Sequence, residues 1–164
     1  VFHRISSGTT RDGLEVFGKM EKGYLLSVDS NWDMYGDGYL SGHYFSEGAL
    51  REQLEKAYPG LVFTEEPVEN QINMYKRDKV GHILFLTVGN KTISGEEFRQ
   101  LLELPSSNFT MQAADGKIRF LCKGQGHGLG LSQYGGNVLA KEGKSYKEIL
   151  RYYFPECGVQ KKDS

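Results

Sequence analysis

The sequence predicts an α+β fold, in which three or more helices pack on a mostly antiparallel sheet. Segments with strand-like and helix-like patterns are interspersed along the 164 residues, and no internal repeat is visible. Asp115-Gly116 lies between two alternating segments, which is a strong signal for an antiparallel hairpin. A glycine-rich loop over residues 124–136 leads into a helix.

The composition is that of a folded globular protein, with 38% hydrophobic and 12% aromatic residues. We predict a single domain over residues 1–164, with 159–164 as a tail. The net charge is −1 and there is no basic run, which excludes charge-driven binding to nucleic acid. No apolar run approaches the roughly 18 residues of a membrane span. The chain begins inside an alternating pattern at Val1, so we expect upstream sequence to be missing.

The first third of the chain predicts short strands joined by polar loops. Residues 1–7 and 24–28 alternate as strands do, and a polar loop with a short ordered segment at 14–17 separates them. A polar turn with the single tryptophan follows at 29–33, and residues 34–42 are predicted to be an exposed loop.

The middle of the chain predicts a helix and then the central strand. Ser46 has the N-cap residue type for a helix that runs to about Tyr58 and ends before Pro59-Gly60. Residues 68–75 alternate weakly. Residues 80–88 contain a run that is apolar on both faces, which predicts a central strand.

The last part of the chain has clear helix starts and a hairpin. Ser94 and Glu97 have capping-box spacing, and the two hairpin strands are predicted at 108–113 and 117–122. Cys122 alternates with apolar residues there, so we expect it to face a core. Two more helices are predicted, one from Ser132 to Lys141 and one opened by the capping box Ser145 to Glu148.

The glycine loop does not fit the common glycine-rich chemistries. Lys123 precedes the glycines instead of following them, so there is no phosphate-binding Walker motif. The dinucleotide fingerprint fails because Leu129 stands where its third glycine is required. Tyr134 stands where a nucleophile elbow needs glycine. His127 as a base for Ser132 leaves a serine hydrolase as an open alternative, without an acidic orienter nearby.

The loop, with the motif Gly-x-Gly-His-Gly-Leu-Gly-Leu-Ser-Gln-Tyr-Gly, resembles the C-terminal signature of the stage II sporulation protein D (SpoIID) and amidase-enhancer family. The segment 141–153 continues that signature. The stretch His-x-x-Ser-x-Gly-x-Thr from His3 resembles another family block. Further similar segments are 16–18, 24–33 and, after Arg99, 104–109, in the family's order.

The resemblance implies a peptidoglycan lytic transglycosylase, which cleaves between N-acetylmuramic acid and N-acetylglucosamine and leaves a 1,6-anhydro end. One carboxyl group would protonate the leaving oxygen and then accept a proton from the sugar. The resemblance also implies work in the cell envelope outside the cytoplasm, a membrane anchor in an N-terminal segment, and action with a cell-wall amidase and a membrane scaffold during engulfment.

Two departures limit this comparison. The family's catalytic glutamate, and the cysteine and histidine ligands with which some members bind zinc, lie upstream of the block that begins at His3. We therefore expect neither the acid nor a zinc site in this chain, and no cofactor. In addition, Leu26 stands where the family often has lysine.

The resemblance implies that this chain supplies the wall of the substrate groove. Supporting roles near the acid fall to Asp33, Arg11 and His127, and substrate binding to His3, Ser6, Tyr24, Ser132, Gln133 and Tyr134. Structural alternatives stay open for several of these: turn residues for Ser6, Arg11 and Asp33, a backbone-satisfied strand residue for His3, core for Tyr24 and a helix cap for Ser132. The remaining carboxylates that could replace the missing acid are Asp29, Asp33 and Glu15.

Two functions from different classes therefore compete with the hydrolase. The first is a part of a lytic transglycosylase, and the second is a non-catalytic glycan-binding module that helps an amidase. For this chain both predict contact with glycan strands and little or no cleavage.

Overall fold

The computed structural model describes residues 1–19 and 23–160. Its five helices and eight strands confirm the predicted α+β class. The chain divides into two compact units. One unit combines residues 1–39 with the residues from Gly124 onward, and the other comprises residues 40–123. Each unit is described by itself below, and a single domain over the whole chain stays a prediction.

The inserted unit, residues 40–123, contains two antiparallel sheets. The first has the order β2 (Leu40–Ser46), β7 (Lys117–Lys123) and β6 (Phe109–Ala114). β6 and β7 form the predicted hairpin, with Ala114 opposite Lys117. Asp115 and Gly116 have φ of 53° and 70°, and this pair of positive values is typical of a type I′ turn.

The second sheet has β4 (Ile83–Val88) between β3 (Ile72–Arg77) and β5 (Lys91–Ser94). This order confirms that the most apolar strand is central. The weakly alternating segment before it is only partly a strand, because residues Val68–Gln71 form a 3₁₀ helix.

Two helices complete the core of this unit. α2 (Glu47–Ala57) is capped by the Ser46 side chain, and α3 (Gly95–Leu101) begins at the predicted capping box. Rings from three elements meet in the core: Phe98, Phe109 and Phe120. Cys122 is fully buried among these apolar side chains, as predicted. Burial of this many apolar side chains is the main source of the unit's stability.

The unit built from both chain ends combines short helices, a small sheet and long stretches of irregular backbone. Its two-stranded sheet pairs β1 (Phe2–His3) in parallel with β8 (Leu131–Ser132). A short helix α1 (Gly13–Phe17) begins at Asp12, whose carboxylate accepts two backbone N–H groups. A 3₁₀ helix covers Asn31–Tyr35. The unit ends with α4 (Gln133–Lys141) and α5 (Tyr146–Tyr153), which begin at the predicted caps Ser132 and Ser145.

The predicted strand at residues 24–28 is wrong, since these residues form bends and irregular backbone. Side-chain hydroxyls satisfy the backbone there: the Val28 N–H donates to the Thr10 hydroxyl at 2.9 Å, and the Ser27 hydroxyl donates to the Thr10 carbonyl at 2.7 Å. Such bonds compete with a strand ladder. Leu25 also has a φ of 53°, which is incompatible with a strand.

Two other predicted boundaries change. The first strand covers Phe2–His3, and Ile5 adds only an isolated bridge to Gln125. The predicted exposed loop at 34–42 begins inside the 3₁₀ helix, and its last residues belong to β2.

Candidate functional site

A cluster of buried, hydrogen-bonded polar residues lies in the unit formed by the two chain ends, and Asp33 is at its centre. We call this set the polar cluster: Ser6, Ser30, Asp33, Ser132 and Tyr153. Asp33 belongs to the 3₁₀ helix, and its side chain is fully buried. One carboxylate oxygen accepts the Ser6 N–H at 2.7 Å, and the other accepts the Ser132 hydroxyl at 2.9 Å. Hydrogen bonds to a carboxylate are stronger than neutral ones. Asp33 therefore joins the N-terminal segment to the start of α4.

Ser132 extends this connection into α4. Its hydroxyl oxygen accepts the Gly135 N–H at 3.3 Å while the hydroxyl donates to Asp33. The Ser132 side chain is fully buried, so it caps the helix and has no surface for a ligand. Its position in the sequence allowed both the cap and the site interpretation, and the geometry favours the cap.

A second buried polar pair lies beside Gly135 of α4, on the same side as Asp33. The hydroxyls of Ser30 and Tyr153 are 2.8 Å apart. Burial is the largest contribution to the raised pKa of the Tyr153 phenol, which is about 12, so the phenol stays protonated at neutral pH. Gly135 makes room for this pair, because a Cβ there would lie 2.1 Å from the Tyr153 oxygen and 2.5 Å from the Ser30 oxygen. This close approach explains the glycine at this position.

The glycine loop runs beside β1 in a conformation that needs glycine at alternate positions. Gly126 has φ of 106°, and a Cβ on it would lie 2.9 Å from the Cβ of His3. Gly130 has φ of 71°, and a Cβ on it would lie 2.5 Å from the Val1 carbonyl oxygen. Both positive φ values and the short distances exclude larger residues. The loop is thus fixed against the N-terminal segment that also carries His3 and Ser6.

Two histidines lie at the point where the loop meets β1. His3 is buried, and its Nδ1 lies 3.0 Å from the Leu129 carbonyl, so Nδ1 must carry the proton. Burial, with a smaller contribution from the neighbouring His127, lowers the pKa of His3 to about 4, so the ring is neutral near pH 7. Its Nε2 is buried without a hydrogen-bond partner among the described residues.

His127 is half-buried in the loop and keeps the opposite hydrogen-bond role. Its Nδ1 accepts the Leu129 N–H at 3.0 Å, and its ring stands edge-on to that of His3, with 5.8 Å between centroids. Arg11 is buried beneath, where its guanidinium donates to the His127 carbonyl at 3.1 Å. Arg11 therefore holds the loop in place, and its supporting role near the acid stays a prediction.

The surface of the cluster is formed by other side chains. Gln133 and Tyr134, from the first turn of α4, line a depression of about 370 Å³ together with Arg4, Ile5, Asp37 and Asn137. Gln133 is exposed and Tyr134 is half-buried. Of the predicted substrate-binding residues, these two have side-chain surface in this depression, whereas His3, Ser6 and Ser132 lie beneath the surface.

Tyr24 lies apart from this group. Its ring is 38% exposed and stacks on Phe154, with 6.3 Å between centroids. Together with Leu150, Tyr24 lines a different depression of about 340 Å³.

Sequence reasoning missed four residues of the depression: Arg4, Ile5, Asp37 and Asn137. Arg4 is the variable residue after His3 in the quoted motif, and Asp37 lies in the segment interpreted only as an exposed loop. The Asp37-Gly38 dipeptide is a turn signal and carries no sign of a site. The carboxylates named as replacements for the acid lie elsewhere: Asp33 is buried, and Asp29 hydrogen-bonds weakly to Thr9 at 3.5 Å.

The described residues do not fit a metal centre or a serine nucleophile. Among residues 1–19 and 23–160, no three of His, Cys, Asp and Glu come together as metal ligands. The buried Ser132 hydroxyl donates to a carboxylate instead of a histidine, which is not the geometry of an activated nucleophile. Across the same residues, no helix is long and apolar enough to cross a membrane.

Comparison with known proteins gives relatives that include two stage II sporulation proteins D and an amidase enhancer. Stage II sporulation protein D of Bacillus amyloliquefaciens is 30% identical over 163 residues, which cover 99% of this chain and 45% of the relative. The protein of the same name from Bacillus subtilis (strain 168) is 28% identical over 164 residues, with the same coverage. The amidase enhancer of Bacillus subtilis (strain 168) is 32% identical over 88 residues, 54% of this chain and 12% of the relative.

No family model matches the chain. It spans about half the length of the sporulation relatives it matches. The similarity nevertheless extends over almost all of the chain, including the N-terminal block, the glycine loop and the helix that follows. The chain therefore belongs to the stage II sporulation protein D family.

Proposed function

We propose that the chain is part of a peptidoglycan lytic transglycosylase and supplies one wall of its substrate groove. The substrate would be glycan strands of alternating N-acetylmuramic acid and N-acetylglucosamine, cleaved during sporulation or cell-wall remodelling. The names of the sporulation and amidase-enhancer relatives support a role at the cell wall. The proposal includes a place outside the cytoplasm, an anchor in an N-terminal segment, and a cell-wall amidase and membrane scaffold as partners.

The observation that carries the proposal is the hydrogen-bond connection through Asp33. It fixes the glycine loop and the first turn of α4 to the N-terminal segment by two bonds of 2.7 and 2.9 Å. This rigid support presents Gln133 and Tyr134 at the depression. A polar surface on a rigid base suits binding of a hydroxyl-rich polymer, because ordering the site beforehand lowers the entropy cost.

The chain's own part would be binding and orientation. Asp33 is buried and both its oxygens already accept hydrogen bonds, so it is not available to protonate a glycosidic oxygen. The proton donor of the whole protein would come from another segment. This same observation favours a second candidate function, in which the chain is a glycan-binding module that assists an amidase without cleavage.

Incubation of the chain with denuded glycan strands tests both candidates. We expect the chain to co-sediment with the strands and to release no anhydro-ended products in mass spectrometry of the soluble fraction. Anhydro-ended products would show that the chain contains its own acid. Failure to co-sediment at any ratio would refute the groove-wall proposal and the binding-module alternative together.

A pair of tyrosine variants tests where the glycan binds. Tyr134→Ala removes a ring from the depression, and we expect it to weaken co-sedimentation about 5–10-fold. Tyr146→Ala is the matched control, because Tyr146 is 67% exposed at the first position of α5. Equal loss in both variants would contradict the proposed location, provided that thermal melts show both to be folded.

A further inference from the structure

The depression lined by Gln133 and Tyr134 combines groups of different chemistry around one aromatic ring. Tyr134 and Asn137 lie three residues apart on α4, so their side chains project from the same helix face. Arg4 projects from the N-terminal segment, and Asp37 from the turn after the 3₁₀ helix. A cation, a carboxylate and two amides thus surround one small surface.

The floor of the depression is held rigidly. A Cβ on Gly36 would lie 3.1 Å from the Tyr134 ring and 3.1 Å from the Ile5 side chain, so both pack closely on the backbone at Gly36. The Tyr134 N–H donates to the Arg4 carbonyl at 3.0 Å. The Gln125 amide donates to the Gly38 carbonyl at 3.0 Å, which fixes the turn that carries Asp37. Fixed backbone on all sides means that the site is formed before a ligand arrives.

The charged groups of this depression are not used to stabilise the fold. Arg4 and Asp37 are both exposed. Among residues 1–19 and 23–160, neither the Arg4 nor the Asp37 side chain forms an ion pair. The Arg4 guanidinium, with its planar set of donors, is therefore available for a carboxylate ligand.

We propose that this depression is a subsite for a muramic-acid unit, in which Arg4 binds the lactyl carboxylate while Asp37 and Asn137 bind hydroxyl and acetamido groups over the Tyr134 ring. This inference rests on the proposed function and assigns its substrate class to particular residues. The volume of about 370 Å³ lies at the lower end of ligand sites in proteins, which fits a single saccharide unit better than a length of strand.

The assignment divides recognition into two parts. Of the two alternating sugars, only muramic acid has a lactyl carboxylate, so Arg4 would decide which sugar occupies this subsite and hence the register of the strand. Asp37 accepts hydrogen bonds from hydroxyls that both sugars carry, so it would contribute to binding without selecting between them. The two residues should therefore respond differently to a ligand without the carboxylate.

Binding of two soluble probes separates these contributions. The first probe is denuded glycan of defined length, which has free lactyl carboxylates, and the second is a chitooligosaccharide of the same length, which has none. We expect Arg4→Gln to weaken binding of the denuded glycan about fivefold and to leave the chitooligosaccharide within twofold of the unaltered chain. Asp37→Ala should weaken binding of both probes. Arg151→Gln, on the exposed surface of α5, is the control for loss of one positive charge.

The outcomes distinguish this inference from the proposed function. Suppose that the unaltered chain binds denuded glycan, and that Arg4→Gln either binds it equally well or loses affinity for both probes alike. The subsite assignment is then overturned, and the proposal that the chain forms a groove wall is unaffected. If Arg151→Gln reproduces the Arg4→Gln effect, the loss reflects net charge and the assignment also fails. If the unaltered chain binds neither probe, the proposed function itself is overturned.

Discussion

Substitution of Gly135 by alanine tests whether the buried polar cluster depends on close approach to α4. In a helix, glycine to alanine normally stabilises by about 1 kcal/mol. Here the new methyl group would lie 2.1 Å from the Tyr153 oxygen, 2.5 Å from the Ser30 oxygen and 3.2 Å from an Asp33 oxygen. All three groups are buried and hydrogen-bonded, so they cannot move apart without losing partners.

The opposing contributions give a net destabilisation. Overpacking in a rigid interior costs about 1–3 kcal/mol, and breaking the bond between Ser30 and Tyr153 costs about 1–3 kcal/mol more if either group is left unsatisfied. After subtraction of the helix-propensity gain of about 1 kcal/mol, we expect the free energy of unfolding of Gly135→Ala to fall by about 3 kcal/mol. For a domain of this size, this corresponds to a Tm about 6–12 °C lower.

Gly136→Ala is the matched control in the next position of α4. A Cβ on Gly136 would lie 3.6 Å from its nearest neighbours, Ile149 and Leu131, which is ordinary contact. This variant should keep or raise stability by up to about 1 kcal/mol. Urea unfolding followed by Trp32 fluorescence is a suitable assay, since Trp32 is the single tryptophan and packs against Tyr152 in the same unit as α4. If Gly135→Ala is as stable as Gly136→Ala, the reasoning about close approach is refuted.

Two further predictions follow from buried titratable groups. The pKa of His3 falls from 6.5 to about 4 in the folded chain, so the unfolded chain binds more protons between these pH values. The free energy of unfolding should therefore decline by about 3 kcal/mol as the pH falls from about 6.5 to about 4. The urea midpoint of His3→Gln should depend less on pH over this interval, and an unchanged dependence would contradict the prediction. Burial raises the pKa of the Cys122 thiol to about 11, so a thiol reagent at pH 8 should modify only the half-buried Cys157 in the folded chain and both cysteines after denaturation. Rapid reaction of two thiols in the folded chain would be the contrary result.

The elements that sequence reasoning predicted well depend on neighbours in the chain. The Asp115-Gly116 turn and the capping boxes at Ser94 and Ser145 are formed by residues within four positions of each other. Their chemistry can therefore be recognised without knowledge of the fold. The predicted strand at 24–28 failed because its backbone partners include the side chain of Thr10, whose approach is set by tertiary structure.

In the candidate site, too, features set by neighbouring residues could be predicted, and features set by residues distant in sequence could not. The glycine loop was recognisable from its composition, and its motif indicated the family. The role of Asp33 as a buried connection depends on Ser6 and Ser132, which are distant in sequence, so no local pattern distinguished it from a turn residue. Asp37 could not be recognised for the same reason, since only the folded chain brings it to the same depression as Asn137.

The division of the chain has a consequence for the order of folding during synthesis. Residues 40–123 form a complete unit, whereas the N-terminal segment through Tyr39 forms a unit together with the residues from Gly124 onward. The Gly124 N–H donates to the Tyr39 carbonyl at 2.7 Å, so this bond closes the unit at the point where the chain leaves it and returns. On the ribosome, the middle of the chain can therefore fold first, while His3 and Asp33 lack their partners Leu129 and Ser132 until the glycine loop emerges. The polar cluster would thus be assembled last, when nearly all of this sequence has been translated.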